Sequence, residues 1–233
     1  MLIATRNRHK AGEIRAILGG AFQLLTLDEF SGAPAVVEDA PTFAGNATKK
    51  AVELARWFSS SRPSTLDPRL LFVFADDSGL EVDMLNGAPG VHSARFAALD
   101  RSADGSSAGS TGNSPDTDNN AKLLRLLRDV PLEKRIARFR CVIALVPVPE
   151  QRKEGASPVC YADPFAAQTF DGACEGRIGL APRGQNGFGY DPLFTPDGFA
   201  QTFAELGEDV KNRLSHRARA LAKLKDFLTT KTL

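Results

Sequence analysis

The sequence predicts an α/β fold, and three observations carry that expectation. Residues 1–4 form a short apolar strand candidate that runs straight into a polar turn and an amphipathic segment, together half of a βαβ unit. Apolar runs of strand length recur at 70–75 and 139–148. Segments of helical periodicity lie between and after them, the last over 215–227.

After the polar turn from Thr5 to Lys10, Ile14, Ile17 and Leu18 share one helix face, and Gly19 and Gly20 mark its stop. Residues 22–27 read as a second strand, and residues 33–42 as loop, because Pro34 and Pro41 limit regular structure there. A helix is expected over 46–58, where Ala47, Ala51, Leu54, Ala55 and Phe58 recur at helical spacing. Residues 59–68, rich in Ser and Pro, read as a surface loop. The strand over 70–75 then delivers Asp76, Asp77, Ser78 and Gly79 to its carboxyl end. Residues 80–84 alternate weakly, and residues 86–90 are dense in turn signals. The stretch 102–119 is almost free of apolar residues and reads as a flexible loop. A helix follows over 121–127, with Asp118 or Asn119 as its cap and Leu123, Leu124 and Leu127 on its buried side. Beyond the strand at 139–148, residues 150–158 read as a hairpin connection and 159–170 as one or two short returning strands. The final helix carries Ala218, Leu221, Ala222, Leu224 and Leu228 on its apolar side.

At 233 residues and 42% hydrophobic, the chain can bury a substantial core as one domain, or as one domain of two lobes. A net charge of +1, with Lys and Arg spread along the chain, argues against a nucleic-acid partner but leaves room for a small anionic ligand. Cys141, Cys160 and Cys174 show no metal-ligand spacing and make a poor disulfide framework, so reduced thiols are expected. Arg6, Arg8, His9 and Lys10 interrupt any signal-peptide pattern, and the apolar runs are too short to span a membrane. A soluble cytoplasmic protein without a membrane partner is the expectation.

The strand end at Asp76 and Asp77 is the most informative feature. Open α/β folds place ligand chemistry at the carboxyl ends of strands. Buried carboxylates need a partner or a metal. If strand geometry continues through them, the two side chains point to opposite faces and do different work. Hard carboxylate oxygens suit magnesium (Mg²⁺), and Glu38 can supply a second one from its loop. A structural pair closing a tight turn is the alternative. Thr5, Asn7 and Lys10 lie between a strand and a helix start, where backbone N–H groups and the lysine can hold a phosphate chain. This is no P-loop, and a merely polar turn remains open. Gly184, Gly187 and Gly189 free a backbone to approach a ligand, with Phe188 and Tyr190 as ring faces and Asp191 as an acceptor. That mix suits a purine, or an ordinary glycine turn with core aromatics. Ser215 is the expected N-cap of the last helix, leaving His216 and Arg217 in a first turn where the helix dipole does not favour cations. A nearby anion or ligand carbonyl would give them a reason, and Lys211 adds another cation; a packed histidine is the other reading of His216. Three histidines without a Cys/His cluster make no zinc pattern, and no serine sits on a nucleophile elbow.

Together these blocks resemble the inosine triphosphate pyrophosphatase family over nearly the whole chain and in the family's order. They are Ala4 and Thr5 with Asn7 and Lys10; Thr42, Phe43, Asn46, Ala47, Lys50 and Ala51; residues 75–80; residues 87–90 with 93–95; residues 187–192; and Ser215, His216 and Arg217. The resemblance implies an elongated α/β fold with a central mixed twisted sheet flanked by helices, and two lobes around a nucleotide cleft. It implies a magnesium-dependent hydrolase, usually a homodimer, that converts ITP, dITP and XTP to the monophosphate and pyrophosphate. Carried over by motif, Thr5, Arg6, Asn7, Arg8, His9, Lys10, Asn46 and Lys50 would hold substrate, with Lys211 on the phosphate side. Asp77 would be catalytic and a metal ligand, Glu38 the other metal-binding acid, and Ser78 a substrate contact. Phe188, Gly189, Tyr190, Asp191, His216 and Arg217 would form the base pocket. Hypoxanthine and xanthine offer a C6 carbonyl to a His or Arg donor, whereas the adenine amino group would leave donor facing donor.

Three departures from the pattern stand out: Arg6 where the family often has glycine, Gly45 where many relatives have glutamate, and the expanded loops at 59–68 and 102–119. A broader nucleotide pyrophosphatase and a non-enzymatic nucleotide sensor are the competing readings.

Overall fold

The structure is a computed structural model that describes residues 1–61, 72–103, 112–148 and 165–231. Its strands are β1 (Leu2–Ile3), β2 (Leu25–Thr26), β3 (Phe72–Val82), β4 (Ile136–Pro147), β5 (Gln168–Ile178) and β6 (Phe194–Pro196), hydrogen-bonded in the order β2-β1-β3-β4-β5-β6. β1 runs parallel to both neighbours, with Leu2 opposite Leu25 and Val73. β5 and β6 are antiparallel, with Ile178 opposite Phe194. The sheet is therefore mixed. With it go the helices α1 (Arg8–Leu18), α2 (Phe43–Ser61), α3 (Ala98–Ala103), α4 (Asp116–Leu126), α5 (Phe203–Leu206), α6 (Glu208–Leu214) and α7 (His216–Lys231). The α/β class and the mixed sheet flanked by helices are as the sequence predicts.

Two compact units share these elements. The first comprises Met1–Asp77, Val142–Asp171 and Ala220–Leu233; the second comprises Ser78–Cys141 and Gly172–Arg219.

In the first unit, β1 is wholly buried and α1 turns Ala11, Ile14 and Leu18 inward. Asn7 caps α1 by accepting from the Lys10 N–H at 3.1 Å, which satisfies one of the orphan donors of the first turn. Gly19 stops the helix at φ +60, a conformation open to glycine and costly to most other residues. α2 buries Ala47, Ala51, Leu54, Ala55 and Phe58, the periodic set read from sequence. Phe30 meets Phe58 and Trp57 edge-on. Truncating a fully buried Leu54 or Phe58 removes apolar burial and leaves a cavity, at a cost of about 2–5 kcal/mol.

The second unit packs Leu80, Val82, Phe96, Leu123, Phe139, Tyr190, Phe194 and Phe203 into its own core. Arg135 is buried there because its guanidinium donates to the carbonyls of Val130, Gly179 and Leu127. Two of those carbonyls, Leu127 and Val130, lie just beyond the end of α4, and Leu127 O also accepts from the Val130 N–H at 3.0 Å.

The main correction concerns β3. It does not end at Asp76 but continues to Val82, so the two aspartates lie in mid-strand. The continuation is stabilised because Leu80 and Val82 bury themselves in the second core and Ser93 Oγ accepts from the Leu80 N–H at 2.9 Å. α4 also begins earlier than expected, at Asp116 after Pro115, so Asp118 and Asn119 are helical residues rather than caps. Asn119 is buried, accepting from Ala97 N and donating to Ala94 O. Residues 59–61 extend α2 and residues 102–103 end α3, so the two loops are shorter at their described ends than expected. β2 is two residues long. The rest of those loops (62–68 and 104–111), the hairpin over 150–158, residues 159–164 and Cys160 lie outside the described residues.

Candidate active site

Residues 73–77 of β3 are buried without interruption, an arrangement that two carboxylates tolerate only with partners. Asp76 has one: its Oδ1 lies 2.7 Å from Lys10 Nζ, and its side chain is fully buried. Lys50 Nζ donates to the main-chain oxygen of Asp76 at 3.2 Å and pairs with Glu38 Oε1 at 2.7 Å. The lysines come from the first turn of α1 and from α2, so two helices aim cations at one strand. The two ion pairs differ at their acidic ends: Asp76 is 0% exposed and Glu38 35%.

Asp77 sits among the same groups but is held differently. Burial pushes its carboxyl up to about 6, against the pull of Lys10 and Lys50 toward the ionised form. Glu38 adds to the rise, and the Asn46 amide works against it. Asn46 is itself buried, with Oδ1 accepting from Ala40 N at 2.8 Å; its Nδ2 makes no well-formed hydrogen bond among the described residues. Desolvation therefore outweighs the two lysines at Asp77. Asp77 and Glu38 are hard oxygen donors, the type magnesium takes in ones and twos alongside water and phosphate oxygens. Among the described residues no three His, Cys, Asp or Glu side chains converge as a metal cluster. A cation held here would therefore complete its shell from substrate and solvent.

Gly45 precedes Asn46 for a steric reason. A Cβ at that position would stand 2.7 Å from the Ala40 Cβ, so glutamate would displace the loop that carries Glu38. Thr42 closes the helix start there by accepting from the Gly45 N–H at 3.1 Å.

The turn before α1 shows a division of labour. Thr5 Oγ1 accepts from Asn7 N at 3.1 Å, which shapes the turn. Arg6 is exposed and donates to Ala33 O at 2.6 Å, while Arg8 lies 4.0 Å from Asp28 and His9 is exposed. Thr5, Arg6, Asn7, Arg8 and Arg15 line a depression of about 270 Å³ together with Thr26 and Asp28. Lys10, in contrast, points to Asp76.

The second unit gathers the remaining predicted residues. Asp191 Oδ2 accepts from the Phe188 N–H at 2.9 Å and pairs with Lys211 Nζ at 2.5 Å. Lys211 Nζ lies 4.5 Å from the centre of the Phe188 ring, and the Arg217 guanidinium 6.0 Å from it. Arg217 is buried and donates to Ser78 Oγ at 2.9 Å. His216 stacks on Phe139 with ring centres 4.8 Å apart. Ser215 caps α7 through the Ala218 N–H, as expected. Lys211, expected on the phosphate side, is thus held against Asp191 and Phe188. Gly187 sits at φ +77 with Asp191 Oδ2 where a Cβ would be, so only glycine lets the carboxylate turn back onto the loop.

Two residues escaped the sequence reading. Asp116 Oδ2 accepts from Gly189 N at 2.6 Å, and Asn120 Nδ2 donates to Gly189 O at 3.0 Å. Pro115 followed by acidic Asp116 is a helix-start signal that could have found them.

The model of the Ham1 family matches residues 1–227. A Geobacter sulfurreducens relative named dITP/XTP pyrophosphatase is 44% identical over 229 residues, covering 98% of this chain and 96% of its own. A relative of the same name from Opitutus terrae is 40% identical over 232 residues, with 97% and 96% covered. The solved structure of a HAM1 protein from Coxiella burnetii superimposes with a TM-score of 0.73 at 33% identity, covering 98% of both chains.

Proposed function

The chain belongs to the Ham1 family, and from that premise we propose that it is an Mg²⁺-dependent pyrophosphatase hydrolysing ITP, dITP and XTP to the monophosphate and pyrophosphate. The observation that carries the reading is Asp77, a buried carboxyl raised to about 6 beside two lysines and a second acid. A group with its proton affinity lifted toward neutrality is suited to accept a proton from an attacking water. The names of the relatives supply the substrate class.

In this reading Asp77 orients the water and takes its proton, and Asn46 helps hold the carboxylate. Lys10 and Lys50 face the negative charge of the triphosphate and of the departing pyrophosphate. Lys50 exchanges Glu38 for a phosphate oxygen, and Glu38, released, becomes available with Asp77 to a magnesium ion. That ion, when bound, offsets charge on the phosphates and lowers the pKa of a bound water. Thr5, Arg6, Asn7, Arg8 and His9 support the phosphates from the turn before α1. Phe188 stacks on the base, Gly189, Tyr190 and Asp191 hold that loop in place, and Arg217 and His216 are the donors matched to a C6 carbonyl. Ser78 contacts substrate beside Arg217. Lys211 binds next to the base through its place on Phe188 and Asp191. The resemblance further leads us to propose a cytoplasmic homodimer. No described helix is long and apolar enough to cross a membrane.

Steady-state turnover of ITP, XTP, GTP and ATP with Mg²⁺, scoring pyrophosphate and orthophosphate separately, tests the reading. Pyrophosphate from ITP and XTP in preference to ATP is expected. Orthophosphate as the first product would refute the cleavage position, and equal turnover of ATP would point to the broader pyrophosphatase. Nucleotide binding without turnover would leave a sensor.

A further inference from the structure

Gly189 follows Phe188 at φ +63, a left-handed residue whose two peptide groups need partners for the loop to keep one shape. Both come from the first turns of α4. Asp116 takes the Gly189 N–H at 2.6 Å and Asn120 gives its amide to the Gly189 carbonyl at 3.0 Å. Four residues apart, the two side chains share one helix face and close on a single glycine. α4 is itself fastened to the turn over 90–95. The Ser114 N–H donates to Ala94 O at 2.9 Å, and Asn119 Nδ2 reaches the same carbonyl at 3.3 Å. The same turn receives the Tyr190 hydroxyl on Ser93 O at 2.9 Å. The two residues that follow Phe188 are therefore tied to neighbouring points, with Asp191 holding the Phe188 N–H from within the loop.

We propose that Asp116 and Asn120 are positioning residues for purine recognition: as a two-point clamp on Gly189 they set the orientation of the Phe188 ring against the base. The role rests on the reading of Phe188 as the base-stacking residue. The clamp touches no reacting atom. Its loss acts on nucleotide affinity, through a ring free to leave its stacking position, rather than on the hydrolytic step. Asp116 is exposed, and removing its side chain takes no packing from the core. Asparagine at that position keeps an acceptor of the same shape for the glycine N–H, so the conservative variant separates hydrogen bonding from charge.

The test is a kinetic cycle with ITP on Asp116→Ala, Asp116→Asn, Phe188→Ala and the Asp116→Ala, Phe188→Ala double variant. Asp116→Ala raises KM about five- to tenfold, the value of one solvent-exposed hydrogen bond, with kcat within about twofold. Asp116→Asn recovers most of that loss. With Phe188 already removed, Asp116→Ala adds less than about twofold, because the two act as a unit. An unchanged KM in Asp116→Ala, or full additivity with Phe188→Ala, overturns the proposal. Amide exchange of the intact protein gives a readout independent of turnover. Faster exchange at 187–190 in Asp116→Ala, with Tm within about 2 °C of the parent, supports the clamp, and unchanged exchange overturns it. If the parent protein turned over no purine nucleotide, the functional reading would fall and exchange alone would judge the clamp.

Discussion

The molecule holds two sets of ion-paired side chains that use the same charges differently. In the first unit, Lys50 pairs with a Glu38 that is 35% exposed, and Asp77 stays raised to about 6 with cations close by. In the second, Lys211 and Asp191 are 4% and 2% exposed, and Asp191 also holds a backbone N–H. A pair with one wet end can trade partners for a phosphate, because water stabilises the released acid. A pair dry at both ends cannot, since parting it strands a buried charge. Burial therefore separates the Lys50–Glu38 pair, suited to exchange with a ligand, from the Lys211–Asp191 pair, suited to holding a shape. Lys10–Asp76, with its fully buried acid, is of the second kind.

The contrast is open to breakage, first at Asp77. Asp77→Asn keeps shape and loses the proton acceptor, and kcat for ITP falls by about 10²–10⁴-fold while binding changes little. Turnover near that of the parent would remove Asp77 from the chemistry. The next test compares stability across the two sets by urea denaturation. Asp191→Ala leaves Lys211 buried without its acid and costs about 3–5 kcal/mol. Glu38→Ala, at the wet end of its pair, costs less than about 1 kcal/mol. Equal losses would erase the distinction between the sets.

A smaller effect comes from pH. The folded protein, without added divalent cation, holds the Asp77 proton more tightly than the unfolded chain, at about 6 against an ordinary 3.8. Its contribution to stability is therefore full below about pH 4 and is lost as pH rises through about 6. Asp77→Asn removes that fall, so the variant gains on the parent between those limits by on the order of 1–3 kcal/mol. Parallel stability profiles for the two proteins would contradict a raised Asp77. An effect of similar size is expected at Gly45. Gly45→Glu forces the Ala40 loop outward and destabilises by about 1–3 kcal/mol, read as a lowered Tm, and brings no gain in turnover.

How much of this was legible in the sequence depends on how local each signal is. The β1–turn–α1 unit and the apolar face of α2 were readable because strand, cap and period all lie within a few residues. The true length of β3 was not. Asp76 and Asp77 read as a strand end, and the residues that make them tolerable in mid-strand, Lys10 and Lys50, arrive from distant segments. The start of α4 hid for a related reason, although its body from residue 121 onward was readable. Its first turns pack through hydrogen bonds of Asp116, Asn119 and Asn120 rather than apolar contacts, and an amphipathic pattern cannot report such a face. The chemistry of the site residues could be named from their types and order. That Asp191 clasps Lys211, and that His216 lies stacked on Phe139, are tertiary facts without a sequence period.

The most direct test of the division between the two sets is one titration series: binding of ITP and ATP to Asp77→Asn in the presence of Mg²⁺, read beside its turnover. The account predicts a protein that still binds ITP in preference to ATP, as the parent does, while hydrolysing neither at a significant rate. Loss of the ITP preference, or hydrolysis at the parent's rate, would contradict the assignment of chemistry to the first set and base recognition to the second.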